Sequence, residues 1–129
     1  MTDPFEAALA RGVEEFNRGR FFEAHDAWED LWDGTRGPER RFLEGLIHAA
    51  VGCCHLGLRD LAGARSQLAQ AVEALASWRP SHRNLDLNDL SGSLEALLLQ
   101  IPADGEEAAL GALEVPRIQR VFERPQGLA

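Results

Sequence analysis

The sequence predicts an all-α domain, a compact antiparallel bundle of about five helices. Apolar residues recur at helical spacing along nearly all of its 129 residues, and convincing strand alternation is absent. Glycine and proline separate the apolar segments by short connections, and short connections make consecutive helices antiparallel neighbours. The composition is 45% hydrophobic and 26% charged, so the chain can bury a core without disulfides or metals.

Five segments carry the helical pattern. Asp3 and Asp60 are expected to cap the first and fourth helices, because an aspartate side chain accepts from the first free amides. Pro38 is expected to start the third helix and Pro102 to stop the fifth. The segments cover, in order, about residues 4–18, 20–33, 38–58, 60–78 and 87–101.

The remaining segments are expected to be irregular. Residues 79–84, "RPSHRN", are predicted to form a polar loop in which His82 is exposed to solvent. In the tail, residues 103–129, "GEEAALGALE" is compatible with a short helix, and residues 115–129 with an extended arm. We find no low-complexity linker, and therefore expect one domain over residues 1–129. The successive hairpins superficially resemble tetratricopeptide repeats, without their spacing of about 34 residues.

Charge and cysteine usage narrow the classes of function. The formal net charge is −8, and all thirteen basic residues are arginine, so a nucleic-acid partner is not expected. No apolar run approaches the roughly 18 residues of a membrane span. The acidic N-terminus lacks the features of a secretory signal, which favours the cytoplasm. Cys53 and Cys54 are helix neighbours that cannot form an ordinary disulfide, and we expect both to be reduced and buried.

The second segment, "FFEAHDAWEDLW", separates its polar residues between two sides of a helix. His25 and Glu29 are four residues apart, so their side chains can meet, and they fall between Phe22 and Trp32 inside the apolar side. Trp28 and Trp32 are expected to be core residues, and the alternative is that they line a site as a platform for a ligand, together with Arg41. The other acids form an ordinary solvated side; they are Glu23, Asp26, Asp30 and Asp33.

The third segment carries a narrow ionisable stripe on an otherwise apolar helix. Glu44, His48 and His55 share this stripe, with Arg41 just beyond it. Small residues on its flank, from Gly45 to Gly52, are predicted to let the second helix approach closely. The two sets of polar side chains would then face each other.

Two interpretations of this meeting remain open. The first is a buried hydrogen-bond network that fixes the packing of the helices. The second is a site for a divalent metal such as zinc, manganese or iron, because imidazole and carboxylate are suitable ligands. Neither the Glu-x-x-His nor the His-Glu-x-x-His spacing is present. The candidate metal ligands are His25, Glu29, Glu44, His48 and His55.

These segments resemble a family catalogued as domain of unknown function 309. The resemblance rests on "FNRGRFFEAHDAWEDLW", "RRFLEGLIHAAVGCCHL" and "LAGARSQLAQAVEAL", and covers about residues 16–75. The family pattern has residues that match His25, Glu29, Trp32 and His55. It more usually has glutamine where this chain has His48, and glutamate at position 26. The resemblance implies a compact all-helical fold and no assigned reaction.

Three functions follow from the sequence as hypotheses. The first is a binding or scaffold module, a homodimer or partner of another protein, with contacts from the Trp-rich second helix and the C-terminal arm. The alternative is a metal-dependent enzyme, hydrolase-like, in which a carboxylate is general base to a metal-bound water. The third is a pocket for a small anionic ligand between the second and third helices, paired by Arg41.

Overall fold

The computed structural model describes residues 3–102 and 113–121. Within these residues the chain forms five α-helices: α1 (Pro4–Asn17), α2 (Phe21–Asp33), α3 (Pro38–Gly57), α4 (Leu61–Leu75) and α5 (Leu87–Gln100). A 3-10 turn at Ala76–Trp78 follows α4, and two short strands, β1 (Ser81–His82) and β2 (Leu85–Asp86), precede α5. The predicted all-α class and the number of helices are confirmed. No helix among the described residues is long and apolar enough to cross a membrane.

The helix starts follow from three aspartates and two glycines. The Asp3 side chain accepts from the Phe5 amide at 3.2 Å, and Asp60 accepts from the Gly63 amide at 3.0 Å, as expected of N-caps. Asp86 caps α5 in the same way. Gly19 and Gly37 adopt positive φ values of 78° and 77°, which let the chain turn sharply into α2 and α3.

α3 is the central helix of the bundle, because it packs against both α2 and α4 while α1 packs against α2. Its inner side is buried, from Phe42 and Leu43 to Ala50. A Cβ atom built at Gly45 would lie 2.6 Å from the Leu75 side chain, and one at Gly52 would lie 2.7 Å from Leu68. The small-residue flank of α3 therefore lies against α4. The prediction that this flank admits α2 is wrong.

The segment predicted as a polar loop contains a β-hairpin. Ser81 pairs with Asp86 and His82 with Leu85, and the intervening Arg83 and Asn84 have positive φ values of 48° and 67°. Positive φ at both central residues is the requirement of a type I′ two-residue turn. Strands of two residues are too short to show an alternating pattern, which is why the periodicity gave no sign of them.

The described part of the C-terminal arm packs on its own chain. Ile118 is buried, its amide donates to Asn17 Oδ1 at 2.7 Å, and its carbonyl accepts from Asn17 Nδ2 at 2.9 Å. Arg120 forms an isolated bridge with Leu85 of β2. Residues 115–121 of the predicted arm are thus not helical and include the bridge at Arg120, and the rest of the arm lies outside the described residues. The predicted short helix at 105–114 also lies outside them except for its last two residues, which are not helical.

Candidate functional site

The structure divides the five predicted metal ligands among separate contacts. His25 Nε2 lies 2.5 Å from Glu29 Oε2, within one helix. The Glu29 side chain is 52% exposed, so the prediction that it lies inside the apolar side of α2 is wrong. Phe22, which was expected to border it there, is 65% exposed. The apolar side of α2 is narrower in the fold than the sequence indicated, because the helices that pack most extensively on α2 in the described part of the chain are α1 and α3.

Glu44 connects α3 to α2. Its Oε2 accepts from the indole Nε1 of Trp32 at 3.3 Å, and Arg41 lies 3.7 Å from its Oε1. The guanidinium of Arg40 lies over the Trp32 ring, 3.7 Å from its centroid. Trp32 is therefore half-buried, with Glu44 bonded to the edge of its ring and Arg40 stacked on one face. Trp28, in contrast, is fully buried, as predicted for a core residue.

The two histidines of the α3 stripe are bonded toward α4. His48 Nδ1 is 2.7 Å from Gln67 Oε1, and His55 Nδ1 is 2.9 Å from Asp60 Oδ2. A carboxamide oxygen only accepts, so this contact assigns the donor role to Nδ1 of His48, and in the imidazole tautomer that donates from Nδ1 the lone pair is on Nε2. His55 serves the N-cap of α4. Since α4 approaches the glycine flank of α3, both imidazoles are taken by partners other than His25.

A shallow depression between α2 and α3 nevertheless gathers three of the five candidates. It encloses about 330 Å³, and is lined by Glu29, Trp32, Glu44, Ile47 and His48. His25 and His55 do not line it. Among the described residues, no three His, Cys, Asp or Glu side chains are placed to hold one metal ion. Two carboxylates and one imidazole thus line the same depression, but they are not close enough together to bind one metal ion.

A larger, mostly apolar groove lies at the other end of α2. It encloses about 800 Å³ between the α1–α2 turn, the end of α3 and the arm. Leu58 on its border is 79% exposed, and Phe22 is exposed as well. The apolar part of the lining comprises Phe21, Phe22, Leu56, Leu58, Leu113 and Val115. Exposed apolar surface of this kind is a common mark of an interaction site.

The two cysteines also line this groove, and they are free thiols. Burial, with a smaller effect of Cys54, raises the pKa of Cys53 from 9.0 to about 12. Burial and the nearby Glu23 also raise the pKa of Cys54. Both side chains are therefore protonated at neutral pH, and the thiol rather than the nucleophilic thiolate is present. This argues for an apolar lining and against covalent catalysis.

Sequence reasoning missed the environment of His82, which was predicted to be exposed. The ring is only 25% exposed; its Nε2 lies 2.6 Å from Glu39 Oε1, and its centroid is 4.4 Å from that of Trp78. Arg83 donates to Glu39 at 3.2 Å and also pairs with Glu6 of α1. Burial alone would lower the pKa of Arg83, but these carboxylate bonds raise it. These contacts attach the hairpin to α1 and α3. The sequence signal for the turn of the hairpin was Asn84, because asparagine tolerates positive φ.

The fold and these sites define the class of protein: a small helical-hairpin bundle with an apolar groove and a separate polar depression. Residues 9–67 match a family model described as Domain of unknown function (DUF309), and this match supports membership of that family. The resemblance seen in the sequences of the second, third and fourth helices is confirmed. All five residues that line the depression fall within the matched segment, whereas His82 lies outside it. No curated protein matches the chain.

Proposed function

We propose that this protein is a non-enzymatic interaction module, and that a second copy of the chain occupies its apolar groove. The exposure of Phe22 and Leu58 beside the groove carries the proposal. Burying each side chain would contribute about 1.5–3 kcal/mol. The contacts were expected from the Trp-rich second helix and the C-terminal arm; Trp28 and Ile118 are buried within the chain, so Phe22 and Leu58 would supply them together with Val115 of the arm.

The charges around the groove support pairing with a second copy. Arg20 and Arg59 line it together with Glu23, so the same rim carries both signs. A two-fold symmetric interface brings one surface against itself, and it therefore requires a self-complementary rim. Arg20 lies 3.0 Å from Glu15 and 4.0 Å from Glu23 within its own chain, and across a two-fold axis the arginines of one copy would exchange such contacts with Glu23 of the other. The two protonated thiols in the groove suit a reducing compartment, and we place the module in the cytoplasm.

Sedimentation velocity over a range of concentrations tests the proposal. The wild type should form dimers, and Phe22→Ser or Leu58→Ser should raise the dimer Kd by about tenfold or more. Leu99→Ser is the matched control, because Leu99 is 89% exposed but does not line the groove. A wild type that stays monomeric to about 100 μM would refute self-association, since a Kd beyond that range is too weak to act as a module. Equal loss of dimer in the Leu99 variant would also refute it.

The metal-dependent alternative is favoured by one observation, the presence of Glu29, Glu44 and His48 around one depression. Small movements of these side chains would be needed for all three to reach one ion, which makes this the second candidate. Elemental analysis of protein purified without chelator tests it. About one equivalent of zinc, manganese or iron, lost in a Glu29→Gln, Glu44→Gln variant, would establish a metal site. No bound metal, with thermal stability unchanged by added zinc or manganese, would exclude it.

A further inference from the structure

The depression between α2 and α3 is lined by three residues with hydrogen-bond acceptors, namely two carboxylates and one imidazole. Glu29 keeps one carboxylate oxygen beyond the contact with His25, and Glu44 is a carboxylate held by the Trp32 indole. His48 adds Nε2, which retains its lone pair because Nδ1 is bonded to Gln67. The indole donor of Trp32 is already used by Glu44. The remaining lining is apolar, from Ile47 and the Trp32 ring.

From this arrangement we propose that the depression binds a primary ammonium group on an alkyl chain. An ammonium carries three N–H donors and no acceptor, which matches two carboxylates and one imidazole lone pair. Its alkyl chain would lie on Ile47 and the Trp32 ring. The volume of about 330 Å³ lies at the lower end of small-ligand sites. The hydrogen bonds of an ammonium, about 2.8 Å long, also reach acceptors that lie too far apart for metal–ligand bonds of about 2.1 Å.

Two neighbouring arginines contact residues of the depression, but neither forms a close ion pair with its carboxylates. Arg41 approaches Glu44 Oε1 only to 3.7 Å, beyond hydrogen-bonding distance, and its side chain is 52% exposed. Arg40 covers the Trp32 ring. These guanidiniums reduce the local negative potential, but a bidentate carboxylate contact is not formed by either. An incoming ammonium can replace the loose contact of Arg41 at small cost, because exposed ion pairs contribute little.

The chain cannot supply a lysine to this site. All of its thirteen basic residues are arginine, so neither the same chain nor a second copy carries a side-chain ammonium. A side-chain ammonium at this site would therefore come from a lysine of another protein, and the second source of an ammonium is a free alkyl amine. The depression shares no lining residue with the apolar groove, so the inference stands or falls separately from self-association.

Titration of the full chain with butylammonium, followed by NMR of the indole N–H signals, tests the inference. The Trp32 signal should shift saturably with a millimolar Kd, the range open to so small a ligand. Those of Trp28 and Trp78 serve as internal references, since neither residue lines the depression. Neutral 1-butanol at the same concentration should leave the Trp32 signal unshifted. A short acetylated and amidated Gly-Lys-Gly peptide forms the second arm.

Charge-neutralising variants assign the binding to the carboxylates. Glu29→Gln and Glu44→Gln should each weaken butylammonium binding by about tenfold, the effect of losing a bond to a charged group. In the Glu44→Gln variant the new carboxamide oxygen can still accept from Trp32, and thermal melts will verify that the variant folds. Glu73→Gln on α4 is the matched control; this exposed residue does not line the depression, and its affinity should stay within about twofold.

Each outcome has a defined meaning. Tighter binding of the peptide than of butylammonium would support a lysine of a partner protein, whereas tighter binding of butylammonium would support a free amine. The inference is overturned if neither probe gives a saturable Trp32 shift by about 50 mM, a limit well above a millimolar Kd. It is equally overturned if butanol shifts the signal as much, or if both glutamine variants bind as the wild type does.

Discussion

Substitution of Gly12 in α1 should destabilise the fold, because the indole ring of Trp28 packs directly against the backbone at this position. A Cβ atom built at Gly12 would lie 2.5 Å from Trp28 Cδ1 and closer still to Nε1 and Cε2. Ordinary carbon contacts are about 3.5–4.0 Å. The indole is fully buried, and its Nε1 donates to the Leu9 carbonyl at 3.2 Å, so it has no room to withdraw without losing that bond.

The magnitude follows from three contributions. Overpacking a rigid buried ring costs about 1–3 kcal/mol. Leaving the buried indole donor of Trp28 unpaired costs about 1–3 kcal/mol more. Alanine is favoured over glycine inside a helix by about 1 kcal/mol, which offsets part of the cost. We therefore expect Gly12→Ala to lower the free energy of unfolding by about 3 kcal/mol.

Urea and thermal unfolding, followed by circular dichroism, measure the effect. An unfolding entropy of about 2.1 cal/mol/K per residue over 129 residues converts 3 kcal/mol into a Tm lower by about 10 °C. Gly92→Ala is the matched control, because a Cβ atom at this exposed position of α5 meets nothing within 4 Å. It should raise Tm by about 2–4 °C, through helix propensity alone. A Gly12 variant within about 1 kcal/mol of wild type, or a control that is equally destabilised, would refute the packing argument.

Two further predictions concern a partly exposed ion pair and a buried thiol. His25→Ala and Glu29→Ala should each change the free energy of unfolding by less than about 1 kcal/mol, because the pair is partly exposed. A double-mutant cycle should give a coupling energy of about 0.5 kcal/mol or less, and a coupling energy above about 2 kcal/mol would instead indicate a buried network. For Cys53, whose folded pKa is raised from 9.0 to about 12, the stability contributed by the protonated thiol is complete below pH 9 and is lost as pH rises toward 12, since the unfolded chain ionises first. Denaturant midpoints between pH 8 and about 10.5 should thus fall less steeply in Cys53→Ala than in wild type, and parallel slopes would contradict the burial of this thiol.

The helices were predictable because their boundaries depend on local chemistry. Asp3 and Asp60 accept from amides two and three residues ahead, and Pro38 begins α3 as its fixed φ allows. Each of these signals acts within one turn and can be read from one chain. The hairpin at 81–86 depends instead on distant partners, since His82 is held by Glu39 of α3 and Leu85 by Arg120 of the arm. No local pattern carries that information.

The site was harder to predict because a helical wheel gives the angle of a side chain but not the neighbouring helix that it meets. Gly45 and Gly52 correctly indicated a close approach to α3, yet α2 and α4 both flank this helix. The approach is made by α4, whose Leu75 and Leu68 fill the space above the glycines. His48 and His55 consequently bond to residues at or beside α4, and the expected meeting with His25 does not occur.

Pairwise satisfaction of these polar groups gives the depression its chemical character. Each ionisable residue of the predicted cluster has a partner of its own: Glu29 has His25, Glu44 has Trp32, and His48 has Gln67. A partner fixes the orientation of a side chain but uses only part of its bonding capacity. Unused carboxylate lone pairs therefore remain on residues that line the depression beside Ile47. The ammonium group proposed above would meet acceptors that are already partly oriented, and this lowers the entropy lost on binding.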